Sequence, residues 1–275
     1  MRNLNSLKHY KFTEVLKRLR KNNTLYLTIS SPANRNALSK KLVDELEGCV
    51  QAINSSESQL QKLRSLVLQS DDPTIFCAGA DLKERVPMST QQVREFVFRL
   101  REVFDKFSKL EIPTIALING FALGGGLELA LACDMRYATK KSVLGLTETS
   151  LGIIPGAGGT QRLTKLIGIG KAKELIYTAA RVTAEESLKI GLLNGVEDDE
   201  TLLKIKVDSL IDAIEKNGPL ALKAAKQAID GGNGFGLSEG LKVEERCYDI
   251  VLHSEDRIEG LKAFIEKRKA QFKGV

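Results

Sequence analysis

Apolar and polar positions first organise at "TLYLTIS" (24 to 30), where β-formers alternate with polar residues and predict a strand. Beyond "SPANRNALS", the stretch "KKLVDELEGCVQAIN" repeats apolar residues at spacings of three and four, which predicts an amphipathic helix. "LRSLVLQS" reads as a short buried strand and "DDPTIFCAGADLKE" as the loop after it. Ser89 and Thr90 open a predicted helix over residues 89 to 109. "IPTIALING" (112 to 120) is a predicted strand running into "ALGGGLELALACD" (122 to 134), three glycines followed at once by a helical run. "MRYATKKSVLGLTE" supplies strand-like pieces, and "GIIPGAGGTQRL" is a loop entering a further helix.

This alternation of strand and helix with short connections predicts an α/β fold with much of its sheet buried. From about residue 200 the strand signal ends, and "LLKIKVDSLIDAIEKN", "PLALKAAKQAID", "LSEGLKVEERCYDIVL" and "DRIEGLKAFIEKRKAQF" are all helical. Residues 1–14 therefore read as an extension, 15–200 as a mixed core, and 201–275 as an all-helical covering or assembly region. Neither a low-complexity tract nor a sequence repeat breaks this order.

Composition narrows the chemistry. With 275 residues there is room for one large domain and an ample core. The net charge of +6 is mild and suits a small anionic ligand at least as well as nucleic acid. No run approaches the ~18 apolar residues of a membrane span. Cys49, Cys77, Cys133 and Cys247 form no CxxC pair, so a reduced compartment is expected and a metal cluster is not. The only histidines, His9 and His253, lie near the chain ends, and no Gly-x-Ser-x-Gly elbow occurs, which leaves acid-base work to carboxylates. "LIGIGKAKE" lacks the third glycine of a dinucleotide fingerprint, so no nicotinamide cofactor is expected. The basic "MRNLNSLKHYKF" has no apolar core of signal-peptide length; it reads as a short mitochondrial targeting segment or as a solvated terminus.

Three segments place an acid among small residues where a strand gives way to a helix: "FCAGADLKE", "ALGGGLELA" and "LTETSLGIIPGAGGTQRL". Small residues let a ligand approach the backbone, and two such junctions side by side form an oxyanion hole from two N–H donors. The helix dipole at Gly124 to Gly126 adds about 0.3 to 2 kcal/mol for a negative charge there. Glu128 and Glu148 sit on different elements and can divide proton transfer, one as base and one as acid. Each has a plainer alternative: Glu128 as dipole compensation, Glu148 as a solvated turn acid, "GAGG" as an ordinary loop. Lys40, Lys41, Lys62 and Arg64 read as a solvated basic surface.

Together with "EGLKAFIEKRKAQFKG", and in the same order and spacing, these stretches resemble the enoyl-CoA hydratase (crotonase) family over roughly residues 15 to 275. "CAGADLKER" followed by Met88, with "GGGLELALACD", is most similar to the branch of methylglutaconyl-CoA hydratases and enoyl-CoA hydratase domain-containing proteins, which includes an AU-rich-RNA-binding member. The resemblance implies a spiral of ββα turns with a helical C-terminal region that builds trimers, often paired into hexamers. It implies an acyl-CoA hydratase whose coenzyme A is part of the substrate rather than a cofactor. Ala80 and Gly125 match the two donors to the thioester oxygen, and Glu128 and Glu148 match the acids that hold and split a water. Arg35, Ala37 and Leu38 match residues near the nucleotide end of CoA. Ala78, Ala80, Asp81, Leu82 and Lys83 match those along the thioester arm, beside Gly124 and Gly125. Phe264 and Lys267 match C-terminal residues that reach CoA, in many members from a neighbouring subunit.

Two further readings stand beside hydration. One glutamate alone can move a proton without water, as in a Δ3-Δ2 enoyl-CoA isomerase, and the chain can also be read as an RNA-binding or non-catalytic assembly subunit. The RNA-binding homologue carries a lysine-studded helix where this chain interleaves Asp44, Glu45, Glu47 and Glu57, so tight RNA binding is not expected. A branched methylglutaconyl substrate and a short straight chain both fit the hydratase reading. The expected compartment is the mitochondrial matrix for a eukaryotic chain and the cytoplasm otherwise.

Overall fold

The computed structural model describes residues 15–55 and 62–275; the predicted extension over 1–14 and Glu57 lie outside them. Strands β1 (Leu16–Lys21), β2 (Thr24–Ile29), β3 (Ser65–Ser70), β5 (Thr114–Ile118), β7 (Met135–Thr139) and β10 (Gly195–Glu197) form one sheet, in the order β1-β2-β3-β5-β7-β10. Within this sheet, among the described residues, only the β1–β2 pair is antiparallel. A second sheet takes β4 (Ile75–Cys77), β6 (Phe121–Leu123), β8 (Val143–Gly145) and β9 (Val182–Thr183) in that order. Each of β3, β5 and β7 passes within a few residues into β4, β6 and β8 of the small sheet before the chain turns helical. This is the spiral of ββα units that the sequence resemblance implies.

Local chemistry explains the long elements. Every residue of β5, "TIALI", is buried, as a parallel strand covered on both faces must be. Helix α1 (Lys40–Asn54) starts where Ser39 Oγ accepts from Leu42 N, and it buries Leu42, Val43, Leu46 and Val50. Helix α3 (Thr90–Ser108) opens with a reciprocal Ser89–Gln92 capping box and turns Phe96, Leu100, Phe104 and Phe107 into the same core. Burying such side chains contributes roughly 1.5–3 kcal/mol each. The stretch "DDPTIFCAGADLKE", read as a loop, contains β4 and all but the last residue of a single-turn helix, α2 (Leu82–Arg85). Both are too short to show a period; β4 is held by pairing with β6, and α2 by Asp81 Oδ1, which accepts from Lys83 N and Glu84 N.

Beyond α4 (Gly125–Leu131), α5 (Gly159–Ile167), α6 (Ile169–Tyr177) and α7 (Ala184–Lys189) complete the spiral. Helix α8 (Glu200–Glu215) opens the helical tail yet belongs to the core packing. Its Leu203, Val207 and Ile211 cover the second face of the large sheet, against Val67, Ile115, Leu117 and Tyr137. Helices α9 (Pro219–Gly232), α10 (Leu237–Leu252) and α11 (Glu255–Ile265) follow, and α10 buries none of its residues. Arg64 is not part of a solvated basic surface. Its guanidinium donates to Asn217 O at 3.4 Å and Phe272 O at 3.3 Å, tacking the tail to the core. Among the described residues, no helix is long and apolar enough to cross a membrane.

Candidate active site

Two backbone junctions meet at the start of α4. Gly124 has φ +50°, a left-handed conformation suited to glycine, and α4 begins at the next residue. A Cβ at Gly126 would collide with the Cys77 carbonyl, so the helix lies directly on β4. A Cβ at Gly79 would stand 3.3 Å from Gly125 N and 2.7 Å from Leu123 O, which puts the turn preceding Ala80 against the turn preceding α4. Leu38 closes this corner: its N–H donates to Gly79 O at 2.7 Å, and it forms an isolated bridge with Ala80. Among the described residues, neither the Ala80 N–H nor the Gly125 N–H donates to a protein acceptor. For Gly125 this follows from its place at the first helical position, whose N–H has no partner within the helix.

Glu128 is 2% exposed, yet it lies one turn into a helix among apolar neighbours. Its Oε1 accepts from Ala157 N at 2.8 Å and Gly159 N at 2.7 Å. The "GAGG" segment is therefore the clamp on the acid, and Arg162 braces it by donating from Nη1 to Ala157 O at 2.9 Å. Burial pushes the Glu128 carboxyl above its ordinary value, while the two N–H donors, Arg162 and Arg85 pull the other way.

Glu148 begins a short 3-10 turn, Glu148–Leu151, that follows β8. A Cβ at Gly124 would lie 3.3 Å from Glu148 Oε1, so this carboxylate faces the same glycine junction. Its Oε2 is buried without a hydrogen-bond partner. Burial first, and the Glu128 charge second, push Glu148 up from 4.5 to about 7. Glu148 is thus no solvated turn acid, and Glu128 does more than compensate a dipole. The two carboxyls form an electrostatically linked pair beside two unengaged N–H donors.

Arg85, at the end of α2, escaped the sequence reading because α2 itself did. Its guanidinium lies 4.8 Å from the centre of the Phe96 ring, and its Nε is buried without a partner. Burial lowers its pKa, and the charges of Glu128 and Glu148 raise it, so it shares their field. Reading "LKER" as one capped helical turn after Asp81 would have found it.

The residues expected along CoA separate into two groups. Arg35 is exposed at the end of the 3-10 turn Pro32–Asn34, and its carbonyl accepts from Ala78 N at 3.2 Å, while Ala37 and Leu38 are buried beneath. Ala78, Ala80, Asp81, Leu82 and Lys83 continue this wall. Asp81 is engaged in capping α2 and accepts from Asn34 Nδ2 at 3.2 Å, whereas Leu82 and Lys83 are exposed. Phe264 and Lys267 lie at the end of the helical tail. Helix α11 packs on α10, and Phe264 is 84% exposed. The acids of α1 point to other partners than its lysines. Asp44 does not serve the lysines one turn before it but pairs with Arg99 Nη1 at 2.6 Å, and Glu45 is buried. A groove of about 730 Å³ beyond the other end of α4, bounded by Phe98, Arg101, Asp134 and Arg162, contains neither glutamate.

A model of the enoyl-CoA hydratase/isomerase family matches residues 19–275. The chain belongs to that family. The methylglutaconyl-CoA hydratase of Homo sapiens mitochondria is 44% identical over 252 residues, covering 90% of this chain and 73% of the relative. The human mitochondrial enoyl-CoA hydratase domain-containing protein 2 is 41% identical over 253 residues, covering 90% and 85%. The crystal structure of an enoyl-CoA hydratase from Bacillus anthracis superposes with a TM-score of 0.91 at 43% identity, covering 95% of this chain and all of that one, 100%. The chain is accordingly an enzyme of the enoyl-CoA hydratase type, a carbon–oxygen lyase with the crotonase fold.

Proposed function

We propose that this enzyme adds water across the α,β double bond of a 2-enoyl-CoA thioester. The observation that carries the reading is the Glu128–Glu148 pair, one buried and one partly buried carboxyl from separate elements in one electrostatic unit. Glu128, with Oε1 held by two N–H donors that oppose the upward push of burial, takes a proton from water as the oxygen attacks C3. The π electrons move to C2 and the thioester oxygen, where the Ala80 and Gly125 N–H groups receive the developing charge. Such donors are worth about 10²- to 10³-fold each. Glu148, pushed up to about 7, carries the proton that goes to C2. One proton leaves water and one reaches carbon, and the carboxyl pair is restored by exchanging a proton through solvent.

The wall of Arg35, Ala37, Leu38 and residues 78 to 83 takes the CoA moiety, and Phe264 and Lys267 reach it from a neighbouring subunit of a trimer or dimer of trimers. For a eukaryotic source the reading places the enzyme in mitochondria, the compartment named for the human relatives. The test is hydration of crotonyl-CoA by Glu128→Gln and Glu148→Gln. Each is expected to lose about 10²- to 10⁴-fold in turnover with folding and acyl-CoA binding retained. Near wild-type turnover in either would remove that residue from the mechanism.

A further inference from the structure

We propose that Arg85 selects the acyl group: its guanidinium receives a second carboxylate carried by the substrate, making the preferred substrate a dicarboxylic 2-enoyl thioester. The proposal rests on the hydratase reading and deepens it. Asp81 caps α2 immediately after Ala80, so Arg85 is delivered one helical turn beyond the thioester-binding junction. The guanidinium is half-buried against the buried Phe96 ring, and Arg85 makes no side-chain hydrogen bond or ion pair among the described residues. A desolvated cation without a carboxylate is costly, and such groups are normally paired.

Neither nearby acid supplies the missing partner. Glu128 is held through Ala157 and Gly159, and Glu148 leaves its own Oε2 unengaged. Both acids nonetheless act on Arg85 through their charge, so the cation and the two carboxyls belong to one site. A substrate with a carboxylate just past C3 would be repelled by two glutamates unless a cation faced it. The planar fork of arginine binds a carboxylate through two parallel hydrogen bonds, which gives both attraction and register. A straight four-carbon acyl chain offers no such group, whereas the glutaconyl skeleton named in the human relative does.

The experiment compares glutaconyl-CoA with crotonyl-CoA in the wild type, Arg85→Met and Arg85→Lys, and adds calorimetric binding of the unreactive pair glutaryl-CoA and butyryl-CoA. The wild type should prefer the dicarboxylic member of each pair. In Arg85→Met the ratio of the two kcat/KM values should fall on the order of 10²-fold or more, mainly through KM, with partial recovery in Arg85→Lys. The glutaryl-CoA preference in binding should fall with it. Equal losses on both substrates with a displaced pH profile would overturn the proposal, showing that Arg85 acts through the glutamates. An unchanged ratio, or a wild type without dicarboxylate preference, would overturn it as well. A wild type that hydrates neither enoyl thioester yet keeps the glutaryl-CoA binding preference, itself lost in Arg85→Met, would instead refute the hydratase reading and leave Arg85 as the anion site.

Discussion

Gly159 donates its N–H to Glu128 Oε1 at 2.7 Å, and a Cβ at Gly159 would stand only 2.9 Å from that same oxygen. The same Cβ would meet Leu146 Cδ1 at 2.9 Å, so the side chain has no second direction in which to yield. Gly159→Ala is therefore expected to keep the fold and displace the Glu128 carboxylate. A misplacement of that kind costs about 10²-fold in kcat. Steady-state hydration kinetics with circular dichroism as the control would check it; full activity would show that the clamp does not position the acid.

Glu148 gives a pH signature with a definite sign. In the proposed hydration Glu148 gives its proton to C2 and must be protonated, so kcat/KM should decline as pH rises through about 7. Its folded-state value lies above its unfolded one, so between 4.5 and about 7 the native state binds the extra proton. The resulting stability is fully present below the unfolded value and is lost as pH rises through the folded one. Because the residue is only partly buried, screening leaves this at roughly 1–2 kcal/mol. Denaturant titrations should thus find Glu148→Gln more stable than wild type at pH 8 but not at pH 4. An equal difference at both would refute the linkage.

The Gly125 donor can be separated from the steric demand of its site. A Cβ there would press on Leu38 Cδ1 at 2.6 Å, a cost shared by Gly125→Ala and Gly125→Pro. Only proline removes the N–H. The proline variant should be slower than the alanine variant by about 10²- to 10³-fold, provided both are folded by circular dichroism. Equal rates would exclude the donor role.

The tail carries the assembly prediction. Helices α10 and α11 leave Leu237, Leu241, Tyr248, Ile258, Leu261, Phe264 and Ile265 exposed, more apolar surface than a lone chain tolerates well. Sedimentation at micromolar concentration should find a trimer or a dimer of trimers, and a stable monomer would contradict this. Truncation before residue 200 should cause aggregation, because it strips α8 from Val67, Ile115 and Leu117.

RNA binding should be weak and salt-labile. Lys40 and Lys41 are exposed on α1, but Asp44 stands exposed on the same helix and Arg99 is occupied by Asp44 and Glu47. A face of mixed sign neutralises few phosphates, so little counterion release drives association. Filter binding with an AU-rich oligomer should lose signal near physiological salt while hydration persists. Tight, sequence-selective binding at that salt would show that α1 works otherwise.

Much of this molecule was legible from local pattern. A period of two located β2 and a period of three to four located α1, because a half-buried element must present one face to the core. Ser39 and Ser89 marked helix starts because the first N–H groups need acceptors nearby in the chain. The glycine-rich junction and its acid were visible for the same reason, since residues 124 to 128 are contiguous. What escaped has no local period or depends on residues far apart in sequence. Three-residue β4 exists through pairing with β6, and one-turn α2, with Arg85, exists through its cap. The clamp on Glu128 comes from Ala157 and Gly159, and the partner of Asp44 is Arg99 on another helix. Charge and desolvation act through space. That Glu128 and Glu148 face the same glycine junction, with both carboxyls raised by burial, was decided only when the two turns closed on each other.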